Sequence, residues 1–572
     1  MEEKSIFWEL PYWECLEVRH TIDVMHVTKC LCVNLLGFLG VYGKGRDTMQ
    51  ACQDLKHLGQ RKDLHPEKRT NGQHYLRPVS YTLSKEEKQS MFDCLNSIKV
   101  PSGYSSNVKG IIQMKEKKFT NLKSHDCHVL MTQLLLVALR GILPENVRLA
   151  IVKLCAFLNE ISQKVIDPNK LSRMQNDVVQ CLVSFEMVFP PSFFNITTHL
   201  ITHLVKEISI LGPVFLHNMF PFERYMAVLK KYVRNRSRPE GCIANGYATE
   251  EVIEFCANFI DDIDPIGHPV SRHEGRLKGK GLTLGKKANM NILEFEIRKA
   301  NFIVLQNSSL AAPYMDQHKN IVQSENPEKS EAWITRHHKD NFTTWLRRLL
   351  MGNDTIDKQL QWLARGPSVT ILQYQGYDIN GNTYYMRKQD QNSTNQNSGV
   401  CIDAIIDNDG TKETYYGVIE EIWELDYGPL KVPLFRCQWV NRAQGGLMVD
   451  RYGMTTVDLN KIGYKDEPFV LAKDVTQVFY VMDISSKPKK GPNKDQPKRH
   501  IVLSGKRKIV GVEDISDNSE DFNWLDDLPP FSINVDPSIL LSREDASYLR
   551  RDHKQGYLVK KKTINVPLVD EN

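Results

Sequence analysis

Up to about residue 263 the apolar positions recur mainly at helical spacing, most clearly over 129–156 and again over 225–233. The turn-forming runs Pro101-Ser102-Gly103 and Pro190-Pro191-Ser192 interrupt that pattern, which predicts several short helices rather than one long bundle. After Asp261-Asp262-Ile263-Asp264-Pro265 the composition shifts, and 275–287 is rich in Gly and Lys with little apolar content, as in a linker. A second helical patch covers 292–350. From about 366 the period becomes that of strands, at 370–374, 383–386, 415–423, 435–440, 469–471 and 478–482. Ile379-Asn380-Gly381-Asn382 and Asn408-Asp409-Gly410 are hairpin signals between them. The residues 485–508 carry nine Lys or Arg against one Asp, and 513–527 is acidic around Trp524, so most of the tail is expected to be disordered.

The pattern therefore predicts an α+β chain. Residues 1–263 form a mainly helical region, 264–365 a linker with bridging helices, 366–484 a small antiparallel β domain, and 485–572 a basic and then acidic tail.

Composition narrows the class without fixing it. The 572 residues are 41% hydrophobic and 25% charged, ordinary globular usage. The net charge of +5 is too small to indicate a partner by itself, so only local clusters carry that argument. Glu2, Glu3 and Glu9 stand where a signal peptide would need a basic, then apolar, start. The apolar run 129–143 is broken by Thr132, Gln133 and Arg140 and is shorter than the roughly 20 residues of a membrane span, so no membrane partner is expected. The twelve cysteines contain no CxxC pair, which fits a reducing compartment.

Several constellations could carry chemistry. In Arg19-His-Thr-Ile-Asp-Val-Met-His26, Asp23 and His26 share a helix face and could hold a divalent cation or position a water. A satisfied His and a capping Asp explain the same spacing. Glu223 starts a helix running into Lys230, Lys231, Arg234, Arg236 and Arg238, either a dipole-stabilised Glu with a solvated basic face or a metal ligand whose helix offers cations to phosphates. His125-Asp126-Cys127-His128 holds four ligand types too close together to close a tetrahedral site, with Asp126 a candidate helix cap. His199 and His203 lie one turn apart without the Glu of an HExxH motif. Gly43-Lys44-Gly45 and Lys278-Gly-Lys-Gly281 lack P-loop spacing, and no GxSxG appears.

Longer strings carry a resemblance. Phe7-Trp-Glu-Leu-Pro-Tyr-Trp13, Arg19 to His26, Lys123-Ser-His-Asp-Cys-His-Val129, Phe189-Pro-Pro-Ser-Phe-Phe194 and Met219-Phe-Pro-Phe-Glu-Arg224 resemble plant En/Spm-type (CACTA) transposases. So do Tyr416-Gly-Val-Ile-Glu-Glu421, Phe435-Arg-Cys-Gln-Trp439 and Asp474-Val-Thr-Gln-Val-Phe-Tyr480, and the likeness covers about 5–510. It implies a ribonuclease-H-like DDE/D core with a helical insertion, in which carboxylates hold Mg2+ or Mn2+ for two-metal DNA cleavage and strand transfer. Asp23 and His26 match the family's D-x-x-H element, and Glu223 matches the last acid, with Glu207, Asp261 and Asp262 as rivals. The family's first Asp lies upstream of the Phe-Trp-Glu-Leu-Pro segment and has no counterpart here, so the chain is expected to be inactive alone.

The partners so implied are DNA at transposon ends and an oligomer or a second transposon-encoded protein, in the nucleus. Lys489, Lys490, Lys498 and Arg499 would add DNA contacts or serve import. The alternative is a host-retained module without catalysis that binds nucleic acid or protein through the β domain, with Trp423 and Trp439 as recognition aromatics or as core.

Overall fold

Capping side chains and apolar faces fix the helices. α1 (Val24–Phe38) starts where the Asp23 carboxylate accepts the His26 amide at 3.0 Å, satisfying one of the orphan N–H groups of a helix start. It buries Leu31, Leu35, Leu36 and Phe38. α2 (Met49–His57) is capped by Thr48, and the ribbon β1 (Glu67–Lys68) with β2 (His74–Leu76) follows. α3 (Lys85–Ser97) opens on a reciprocal Ser84–Glu87 capping box. After the short ribbon of β3 (Ile112–Gln113) and β4 (Lys118–Phe119), α4 (Ser124–Val129) continues through a π-turn at Leu130–Leu134 into α5 (Leu135–Ala138). Gly141, in the left-handed region at φ +71°, and Pro144 separate α5 from α6 (Glu145–Ile161). The helical stretch expected over 129–156 is thus broken in two. α7 (Leu171–Val188) and α8 (Ile196–Leu211) complete the body, whose centre is an aromatic stack of Phe38, Tyr81, Phe185, Phe189 and Phe193.

This computed structural model describes residues 6–43, 48–68, 74–76, 79–104, 108–260, 281–351, 356–405, 412–443, 445–450, 453–486, 499–505 and 557–558. Within 6–260 the described strands are two or three residues long, so these helices pack on one another rather than on a ribonuclease-H-like sheet.

The chain then bends by 92° between Ile196–Leu211 and Val214–Tyr232 and runs out into a helical hairpin, α9 (Phe220–Tyr232) and α10 (Pro239–Phe259). The apolar spacing at 225–233 predicts packing, yet α9 buries none of its side chains, and among those described on α10 only Ala257 is buried.

The remaining elements build a mixed layer of helices on an antiparallel sheet. They are β5 (Leu282–Asn291), α11 (Glu294–Gln306), α12 (Ala312–Glu325), α13 (Glu331–Leu350), α14 (Lys358–Arg365), β6 (Thr370–Ile379), β7 (Asn382–Tyr385), α15 (Arg387–Asn392), β8 (Gly399–Ile405) and β9 (Lys412–Asp426). β10 (Lys431–Val440), β11 (Leu447–Val449), β12 (Thr455–Val457), β13 (Ile462–Gly463), β14 (Phe469–Leu471), β15 (Thr476–Met482) and β16 (His500–Ser504) follow. The main path runs β11-β12-β16-β15-β8-β9-β10-β13, with β14 on β10 and the β5-β6-β7 group joined through β6 to β9. Asn380 and Gly381 form the β6–β7 turn with φ of +51° and +72°, the left-handed pair that a two-residue type I′ hairpin needs.

Three features differ from the pattern reading. Residues 282–291, read as linker, form β5 and pair with β6. The helices of 292–365 do not bridge; Phe342, Leu346 and Leu363 pack on Trp423, Leu434 and Phe469 of the sheet. Residues 500–504, read as tail, form β16 between β15 and β12. Through β16 the two halves share a core: Met454, Phe479, Val481, Ile501 and Leu503 are buried against the helical body, each such side chain worth roughly 1.5–3 kcal/mol. Arg140 locks that seam, with its guanidinium 2.6 Å from Asp450 and 3.1 Å from the buried Asp483. Asn397 adds a polar latch, accepting the Ser102 amide at 2.8 Å.

Candidate DNA interface and metal-ligand residues

Asp23 ends the loop before α1, and its Oδ1 accepts the His26 amide. His26 is exposed, with Nε2 3.4 Å from Cys30 Sγ. The acid that comes close to this helix start is Glu207. It is buried on α8, and its two carboxylate oxygens accept the Ile22 amide at 2.9 and 3.2 Å. A carboxylate there meets both an orphan N–H and the positive end of the α1 dipole. Glu223 sits elsewhere, exposed in the first turn of α9 on the hairpin. The rivals Asp261 and Asp262 lie outside the described residues.

These groups do not fit a two-metal centre. Mg2+ or Mn2+ sites draw on several free carboxylate oxygens. Here one Asp23 oxygen and both Glu207 oxygens already accept backbone N–H groups. Among the described residues no three His, Cys, Asp or Glu side chains gather to hold a metal ion.

The other constellations resolve as local structure. Asp126 accepts the Lys123 amide at 3.0 Å and caps α4. Cys127 is fully buried against Cys32 of α1, where the hydrogen bond that the Cys32 thiol makes to Cys127, and then burial, push the Cys32 thiol well up. The His128 ring stands edge-on to Phe220 at 6.4 Å. His199 and His203 are exposed on α8, with their Nε2 atoms 3.0 Å apart. Trp423 and Trp439 are 1% and 6% exposed, so both are core and neither forms an aromatic recognition platform.

The basic residues divide sharply. Lys230, Lys231, Arg234, Arg236 and Arg238 occupy the end of α9 and the turn into α10, and all five are exposed. None of them forms an ion pair or side-chain hydrogen bond among the described residues. The turn itself is held by the Asn235 amide donating to Cys242 Sγ at 3.4 Å and the Ser237 amide to Asn235 Oδ1 at 3.0 Å. The hairpin flank carries exposed Phe222, Tyr225, Met226, Phe255 and Phe259. Lys489, Lys490 and Lys498 lie outside the described residues. Arg499 is a strut of the sheet rather than an open cation: Nε donates to Thr456 Oγ1, one terminal nitrogen to the Gly445 carbonyl at 2.7 Å, and the other to the Thr456 carbonyl at 2.8 Å.

In the sequence Arg140 shows only as a break in an apolar run, its Asp450 partner lying 310 residues away, and Glu207 only as a rival acid. A buried Glu in an amphipathic helix was the signal available for the latter.

A profile described as a domain of unknown function, DUF4218, matches residues 161–273, and another, DUF4216, matches 423–491. The first span holds α7 to α10 and so contains the hairpin; the second holds β10 to β15. Domains of both kinds occur in plant transposase-like proteins. No curated protein and no solved structure matches the chain.

Proposed function

We propose that this chain is a transposase-like DNA-binding protein of the CACTA (En/Spm) kind, acting in the nucleus, and that the turn of the α9–α10 hairpin is its principal contact with the phosphate backbone. The observation that carries the reading is the set of five unpaired, exposed cations within 230–238, on a hairpin that buries almost nothing of its own. Phosphate contacts need such open cations, because each one neutralised releases a condensed counterion. The two matched domains support the transposase-like part of the reading. The described carboxylates support binding without cleavage by this chain alone, since Asp23 and Glu207 are engaged by backbone N–H groups.

The test is a gel shift of duplex DNA by the full chain and by K230Q/K231Q/R234Q/R236Q/R238Q, in EDTA and in Mn2+. The expected result is binding by the wild type with or without metal, loss of most affinity in the variant, and no nicking. Unchanged affinity in the variant refutes the interface, and Mn2+-dependent nicking lost in D23N refutes the non-catalytic part.

A further inference from the structure

Away from the hairpin, three lysines meet at the seam between α3 and the β3–β4 ribbon. The 40–43 turn is strapped to β4 by the Phe119 amide donating to the Val41 carbonyl at 2.8 Å, and to the start of α3 by the Thr82 hydroxyl on the Phe38 carbonyl at 2.9 Å. Lys88 of α3 lies over this turn. A Cβ at Gly40, which sits at φ +74°, would stand 3.0 Å from Lys88 Nζ, so the ammonium rests directly on backbone that only glycine leaves open. From the ribbon, Lys118 Nζ donates to the Gly43 carbonyl at 3.3 Å, and Lys117 Nζ donates to the Lys85 carbonyl at 3.4 Å. Lys117 itself adopts a left-handed φ of +53°, uncommon for a side chain of its size.

The result is a half-buried cradle of like charge. Among the described residues Lys88 has no hydrogen-bond acceptor and no ion-pair partner, and neither Lys117 nor Lys118 has a carboxylate partner. Burial, and after it the Lys118 and Lys117 ammoniums, hold Lys88 below its ordinary range. Lys88 is half-buried, its ammonium set against the Gly40 backbone with like charges beside it, and partial loss of water without an acceptor is unfavourable for a cation. Lys117 and Lys118 each keep further N–H donors beyond the carbonyl they hold, and an oxyanion would complete all three.

We infer that Lys88, Lys117 and Lys118 form a binding site for a phosphate-class oxyanion, met either as a free phosphate ester or as a DNA phosphodiester. The site is separate from the hairpin turn, and only its DNA arm rests on the proposed DNA-binding role.

The test uses the full chain and inorganic phosphate as the probe. Thermal unfolding is followed against phosphate, with chloride at matched ionic strength as control, for the wild type, K117Q/K118Q and K88M. A saturable rise in Tm with phosphate over chloride in the wild type, lost in K117Q/K118Q, is expected. Both of those lysines are only half-buried, so the double variant should fold even if K88M does not. A phosphate response no larger than that of chloride, or one retained in K117Q/K118Q, overturns the site. The source is then read from DNA affinity against salt: a slope smaller by roughly 2 in K117Q/K118Q assigns a phosphodiester, and an unchanged slope with the phosphate response lost assigns a free phosphate ester. Failure of the hairpin reading shows only in the hairpin variant, so the two stand or fall apart.

Discussion

Replacing Glu207 by Ala separates a structural carboxylate from a metal-binding one. In the wild type the buried carboxylate accepts the Ile22 amide with both oxygens, one residue before the Asp23 cap. Its removal costs a hydrogen bond to a charged group, about 1.5–3 kcal/mol, and a favourable dipole interaction at the start of α1, about 0.3–1 kcal/mol. The loss is therefore about 2–4 kcal/mol, against about 1 kcal/mol for D23A, which removes only the cap. In urea, at a slope of about 2–3 kcal/mol per molar, the midpoint of E207A should fall by roughly 1 M. Circular dichroism at the helical band reads this, in EDTA and again with Mg2+ or Mn2+. Structural carboxylates give the same differences in both conditions, with no metal-induced shift of the wild type. A loss in E207A below about 0.5 kcal/mol, or Mn2+ stabilisation of the wild type that E207A or D23A removes, refutes the reasoning.

Three further outcomes follow from other contacts. R140M strips the ion-pair partner from Asp483, 4% exposed, and should cost about 2–4 kcal/mol, read as a lowered urea midpoint, while D450N costs less because Asp450 is more exposed. His318 and His338 pair through Nδ1 atoms 2.7 Å apart inside the α12–α13 hairpin, and burial, followed by the His318, Lys319 and Lys339 charges, pushes His338 down to about 4, with Asp316 opposing. A depressed folded pKa favours the neutral ring, so this stabilisation is present above about pH 6.5 and is lost as pH falls toward 4; pH-dependent thermal unfolding should show that acid limb shrinking in H338F, and an unchanged limb would contradict it. R499Q breaks three donor contacts in the sheet and should lower stability by about 2–3 kcal/mol, yet leave the salt slope of DNA binding as in the wild type.

The strands of 366–484 were legible because their signals are local. The Asn380-Gly381 turn needs left-handed φ at both positions, and those residue types tolerate it best. β5 escaped because the alternation of Leu282, Leu284, Ala288 and Met290 is interrupted by Gly285-Lys286-Lys287, at the end of a Gly- and Lys-rich run; the register with β6 shifts at that interruption, and backbone pairing with β6 holds the strand there. β16 was hidden by its basic flanks, although Ile501, Val502 and Leu503 are all buried.

The candidate site shows a deeper ambiguity. An Asp three residues before a His at a helix start has the spacing of a cap and its bonded amide, so Asp23 and His26 read alike as a functional pair and as capping. Glu207 became informative only when α8 met α1, a contact between residues 185 positions apart. For α9 periodicity misled in the opposite direction. Its apolar residues have helical spacing, yet apart from contacts such as Phe220 with His128 and Tyr232 with Gly246 of α10 they gain little cover and none is buried, and the same exposure leaves the adjacent cations open.

The most direct measurement of the central claim is DNA affinity as a function of salt for the wild type and for K230Q/K231Q/R234Q/R236Q/R238Q. If all five cations meet phosphates, the slope of log affinity against log salt should be shallower in the variant by about 4–5, at roughly 0.9 per contact. Wild-type binding would then weaken several hundred-fold more steeply than that of the variant for a fourfold rise in salt. Equal slopes for the two proteins would contradict the account.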